Sequence, residues 1–228
     1  MRRPVVLGSG SVADIFQEVD EEVRRERLQK LWDRYGYLLI ALCALIVAGV
    51  GGWRGYEYWQ AKKAGESAVA YEQAVRLADA GKHQEADAAF ARIASGGTPG
   101  YRVLARLREA SELAQTDRKA AVTAYDALAA DPNAGQIIQD LAVVRAGVLL
   151  VDSASYAEMQ KRLEPLAGSG RSFRHSAREL LALSAWKSGD TGAARKWTDM
   201  IMTDPETPGG TRSRAQILSD LIAAKGKA

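Results

Sequence analysis

The chain has 228 residues, 47% of them apolar and only 7% aromatic, with 31 basic against 28 acidic side chains for a net charge of +3. An alanine-rich composition poor in β-branched runs favours packed helices over sheets, and so small a charge surplus, spread along the chain, excludes the clustered basic face of a nucleic-acid binder. The single cysteine, Cys43, excludes an internal disulfide, a CxxC pair and a cysteine-based zinc site, and the thiol-free remainder suits an oxidising compartment.

Residues 1–11, where Gly8 and Gly10 alternate with serines, read as a disordered N-terminus. From there Val12, Phe16, Val19 and Val23 recur in steps of four, three and four, which is one face of a helix over 12–34. Ser11 or Asp14 would cap it. The apolar face is either a solvated lead-in or a docking face for a partner or the membrane surface, since a free helix has no core in which to bury Phe16 and Val19.

Residues 35–53 carry no charge over nineteen positions, between Arg34 and Arg54. As a helix they would be about 28 Å long, close to the hydrocarbon thickness of a bilayer. Tyr35, Tyr37 and Trp53 mark the ends, with Tyr56, Tyr58 and Trp59 just beyond, at the level where aromatic belts meet lipid headgroups. The two arginines can snorkel outward. A cleaved export signal has a short leading region, whereas 34 residues precede this run. Leu42 stands before Cys43, where a lipoprotein signal needs a small residue. The segment reads as an uncleaved transmembrane signal anchor. Arg24, Arg25, Arg27, Lys30 and Arg34 outnumber Arg54, Lys62 and Lys63 across it, which predicts a cytoplasmic N-terminus and a periplasmic or extracellular C-terminal domain. Ala44, Ala48 and Gly52 form a small-residue stripe that either packs against another helix or meets lipid. Residues 54–64 follow as a juxtamembrane helix or linker.

From residue 65 to 228 one phrase repeats. "AYEQAVRLADAGKHQEADAAFARIA" reads as helix, turn at Gly81, then a helix carrying Ala86 and Phe90. The next copy turns near Thr116, places Ala121 and Tyr125 on its second helix and stops at Asp131-Pro132. A third turns near Ser153, with Leu163 and Leu166 after it; a fourth turns at Gly189, carries Ala194 and closes at Asp204-Pro205. The turns lie about 36 residues apart, near the tetratricopeptide period of ~34, with small residues at the helix crossings and proline after the second helix. The tryptophan-leucine-glycine opening of that repeat is absent. "GGTRSRAQILSDLIAAKGKA" completes the array as a capping helix with Ile217, Leu218, Leu221 and Ile222 expected inward, and Lys225 and Lys227 at its end or in a short frayed tail. The predicted class is therefore all-α: an amphipathic arm, one span and an α-solenoid of about four helical hairpins plus a cap.

No catalytic, cofactor-binding or metal-binding constellation emerges. His83 and His175 lack metal-ligand spacing, the His175-Ser176 neighbours are no nucleophile and base by adjacency alone, and Glu85 and Asp87 read as a solvated helix start. "GSGSV" lacks the lysine of a phosphate loop. What a helical repeat offers is a concave surface built from the first helix of each hairpin. Tyr71, Arg102, Arg106, Glu109, Arg145 and Arg178 lie on those helices. Arg102, Arg106 and Glu109 share one face; they would grip an extended or helical protein segment, or else form an ordinary solvated face.

The arm "DIFQEVDEEVRRERLQKLWDRYG", a span ending in "GVGGWRGYEYW" and the loose repeats together resemble the ancillary SecYEG translocon subunit family of bacterial inner-membrane proteins, in its alphaproteobacterial form. The resemblance covers nearly the whole chain and is strongest over 13–65. It implies a non-enzymatic, cofactor-free protein with a periplasmic repeat domain. The implied partners are protein-export channel subunits, a membrane-anchored periplasmic chaperone and exported proteins as transient clients. A different reading is a regulatory or cell-envelope assembly adaptor that works through its cytoplasmic arm.

Overall fold

The computed structural model describes the backbone of residues 12–225 and the side chains of 29, 30 and 32–225. Residues 1–11, and the side chains of Val12, Phe16, Val19 and Val23, lie outside the described residues. Among the described residues there is no strand. The helices are α1 (Val12–Asp79), α2 (His83–Gly96), α3 (Pro99–Thr116), α4 (Arg118–Ala129), α5 (Gln136–Leu150), α6 (Tyr156–Leu163), α7 (Arg174–Lys187), α8 (Thr191–Thr203) and α9 (Gly209–Lys225). Short 3₁₀ turns follow α4 at Pro132–Ala134 and α6 at Glu164–Leu166.

The chain divides into two units, Met1–Ala61 and Lys62–Ala228. In the first, α1 is unbroken, and Leu39, Leu45, Ile46 and Val47 are all more than half exposed. They point to different sides of the helix, so no single stripe faces a core. By length and composition this helix is able to cross a bilayer. Beyond the apolar run it continues as helix, where Trp53 Nε1 donates to Glu57 at 2.9 Å and Gln60 Nε2 to the Tyr56 hydroxyl at 2.6 Å.

In the second unit, residues 62–79 of α1 pair with α2, α3 with α4, α5 with α6, and α7 with α8, while α9 closes the stack against α7 and α8. Chain breakers decide the turns. Gly81 and Gly189 take φ of 75° and 84°, left-handed values that side chains with a Cβ rarely adopt. Asp117, Ser155 and Asp190 each accept from the backbone N–H three residues on and start α4, α6 and α8. Pro132 and Pro205 stand just past α4 and α8, where continuation would cost a hydrogen bond.

Among the described residues the core forms three clusters. Phe90, Ala86 and Ile93 fill the first with Ala74 and Ala105. Tyr125 and Leu128 fill the second with Ala110, Ala142 and Ala146. The largest gathers Met159, Leu163, Leu181, Ala194, Trp197 and Ile222. Ala86, Phe90, Ala121, Tyr125, Leu163, Leu166 and Ala194, expected inward, are all buried. Gly147 sits where α5 crosses α6 and α7, and a Cβ there would lie 3.3 Å from Leu163 and Leu180. The capping helix corrects one expectation. Leu218 and Ile222 face inward with Ala215, but Ile217 is 61% and Leu221 50% exposed. A helix on one side of a stack buries a single stripe, and 215, 218 and 222 take it.

Candidate protein-binding surface

The residues expected to form a groove divide in the structure. Arg102 and Arg145 are exposed. Tyr71 is half-buried, its ring 5.5 Å from Phe90 and 5.8 Å from Tyr101, so it joins the first hairpin to α3. Arg106 reaches across to the end of α4, donating to the Asp131 carboxylate and, at 3.4 Å, to the Ala127 carbonyl. That guanidinium holds the Asp131 carboxyl below the usual range.

Arg178 is a correction. It is only 5% exposed, and its guanidinium is engaged internally. Nε donates to the Ala167 carbonyl at 2.9 Å, and Nη1 to the Met200 carbonyl at 3.2 Å and the Asp204 carboxylate at 2.8 Å. It ties α7 to the carbonyl-rich ends of the preceding turn and of α8, where a cation also complements the helix dipole. Arg174 binds the same carboxylate at 3.0 Å, and the two arginines hold the Asp204 carboxyl well below its ordinary value, Arg174 contributing most. His175 beside them is pushed down, chiefly by burial and then by Arg174. Thr207 donates to the Ile201 carbonyl at 2.7 Å, so its oxygen is left to accept from His175 Nδ1 at 3.1 Å.

A polar layer between α2 and α3 had no sequence signal beyond its residue types. His83 Nδ1 lies 2.7 Å from Glu112 Oε2, and Glu112 is nearly buried. Asp87 and Glu109 stand close by. Burial raises both carboxyls; repulsion from Glu112 adds to it at Asp87, and repulsion from Asp87 adds to it at Glu109. Asp87 Oδ1 is buried with no hydrogen-bond partner among the described residues.

Among the described residues of the second unit, seven large apolar side chains are substantially exposed: Val69, Leu104, Ile137, Val148, Leu183, Ile217 and Leu221. All lie on α1, α3, α5, α7 or α9, and α2, α4, α6 and α8 contribute none. Between α5 and α7 a cavity of about 410 Å³ opens, walled by Leu141, Val144, Val148, Phe173, Leu180 and Leu183. Its polar lining is Arg145, Ser176 and Glu179. The Glu179 carboxylate is taken by Arg214, with Nη2 at 2.9 Å.

Helical hairpins about 36 residues apart, each joined by a short turn and stacked on the next, are the geometry of one repeat class, and a family model for the tetratricopeptide repeat-like domain matches residues 29–197. The chain belongs to that family. No curated protein and no solved structure matches it. The tetratricopeptide repeat-like match begins within α1 and ends within α8. Modules of this kind act as protein-interaction platforms, because stacked repeats present one continuous layer of first helices. In this tetratricopeptide repeat-like domain the layer keeps the exposed apolar side chains.

Proposed function

We propose that the chain is a non-enzymatic, membrane-anchored scaffold that binds other proteins through the first-helix layer of its repeats. The observation that carries this reading is the one-sided placement of Leu104, Ile137, Val148, Leu183, Ile217 and Leu221. Isolated apolar residues on a surface need no explanation, but their confinement to one of two layers does. The uncharged run at 35–53 supports the anchor, and the excess of basic residues before it supports a cytoplasmic N-terminus with the repeats in the periplasm. The resemblance over 13–65 supports service at the protein-export translocon, with channel subunits, a membrane-anchored periplasmic chaperone and newly exported chains as partners. On this reading Ala44, Ala48 and Gly52 are the face through which the span meets a channel helix.

Two experiments test it in sequence. Alkaline phosphatase fused after Ala64 and after Ala228 should be active in both positions; silence in two well-expressed fusions would put the repeats in the cytoplasm and end the export reading. Photo-crosslinkers at Ala48 and Leu183 in cells should then capture export-channel subunits and periplasmic chaperones respectively. Absence of any protein adduct from Leu183 would refute the scaffold itself.

A further inference from the structure

Three helices of the first-helix layer, α3, α5 and α7, carry a charge pattern as well as an apolar one. On α3, α5 and α7 every exposed charged side chain is basic: Arg102, Arg108, Arg145 and Lys187, the last tied to Asp152. These helices also carry four acidic residues, and none of them is exposed. Glu112 is paired with His83, Asp140 with Arg171 and Glu179 with Arg214, while Glu109 is half-buried against Asp87. Of the second helices, α2, α6 and α8 expose Glu85, Glu158 and Asp199, while the exposed charges of α4 are Arg118 and Lys119. Along α3, α5 and α7 folding thus leaves cations beside apolar side chains, whereas the repeat part of α1 exposes Glu66, Glu72 and Asp79 and α9 exposes Asp220.

The pattern converges at the cavity between α5 and α7. Its walls are apolar, its one acidic group is neutralised by Arg214, and Arg145 forms no hydrogen bond or ion pair with any described residue. A cavity near 400 Å³ with few polar groups accepts apolar side chains readily. A basic group left at its edge selects for a neighbouring negative charge and against a positive one. Resting on the scaffold reading above, we infer that this site binds an apolar protein segment that carries carboxylates: its leucine- or phenylalanine-type side chains enter between Val148 and Leu183, and its Asp or Glu meets Arg145. The same face discriminates against apolar segments flanked by lysine or arginine.

The test uses the full chain in phosphatidylcholine nanodiscs, titrated by fluorescence anisotropy with short labelled leucine-rich peptides that differ only in bearing Asp, Asn or Lys at the same positions. The expected order is Asp tightest and Lys weakest, with about a tenfold gap that shrinks as salt rises. Arg145→Glu, a change at an exposed position, should reverse the order. Val148→Ser and Leu183→Ser should weaken all three peptides alike, and melting curves on each variant exclude unfolding as the cause. Equal affinity for the three peptides, preference for Lys, or an order untouched by Arg145→Glu overturns the inference. So does displacement of the Asp peptide by phosphatidylglycerol nanodiscs in wild type but not in Arg145→Glu, which would make anionic lipid the occupant. Self-association abolished by Arg145→Glu would overturn it in favour of a second copy. If crosslinks from Leu183 still capture proteins in cells while the peptides show no charge preference, the scaffold stands and the selectivity falls. If those crosslinks vanish too, the scaffold falls with it.

Discussion

Arg178→Met distinguishes a structural arginine from a binding one. Methionine matches the length of the aliphatic stem but leaves the Ala167 and Met200 carbonyls without their donor and removes one cation from Asp204. Deleting one partner of a buried pair costs ~3–5 kcal/mol. Arg174 still holds the carboxylate at 3.0 Å, so the lower end, about 3 kcal/mol, applies. For a chain of this size that is a fall of about 6–12 °C in the midpoint. Arg145→Met, at an exposed position, should stay within ~0.5 kcal/mol of the native chain. Thermal melts of the full-length protein in detergent, followed by far-UV circular dichroism, measure both. An Arg178→Met midpoint within about 2 °C of the native one would show that the guanidinium contributes little to the fold, and the assignment of Arg178 to structure would fail.

Asp87→Asn should raise stability at neutral pH, because a carboxyl whose folded pKa is raised loses stability as pH climbs from its ordinary value through the folded one; the difference should vanish in melts at low pH. Asp204→Asn has the opposite profile. Its depressed folded pKa contributes stability above the ordinary carboxylate value that is lost as pH falls through the folded value, so the variant is weaker at neutral pH and converges with native in acid. Phe90→Ala, at a fully buried ring packed on Tyr71, should cost ~3–5 kcal/mol in denaturant titration. On α9, Ile222→Ala should cost ~2–5 kcal/mol while Ile217→Ser stays within ~0.5 kcal/mol, and equal losses would contradict the observed phase of that helix.

Sequence reasoning reached the hairpins because local chemistry sets their ends. Glycine at 81 and 189, the Asp-Pro steps at 131 and 204, and alanine at the crossings act within a few residues of where they stand. It failed where neighbours distant in the chain decide. Helical spacing puts Arg178 on a face but does not reveal that Ala167, Met200 and Asp204 cover that face. On α9 the doublets 217–218 and 221–222 are both apolar, so periodicity alone leaves the phase open by one residue. His83 and Glu112 are 29 positions apart, and the cavity needs α5 and α7 side by side. The layer of first helices was legible, but the exposed apolar side chains on it were not, since Val148 and Leu183 look in sequence like any core residue.

The division of the core into three clusters predicts that local opening below the midpoint is uneven along the array. Fourteen buried residues knit α5 to α9 together, whereas the first and second clusters rest on five each. In a stack where each repeat leans only on its neighbours, damage at Phe90 need not travel as far as Trp197. The C-terminal hairpins act as the ballast of the array. The earlier hairpins, with their smaller clusters, are expected to open first, which hydrogen exchange along the array would measure.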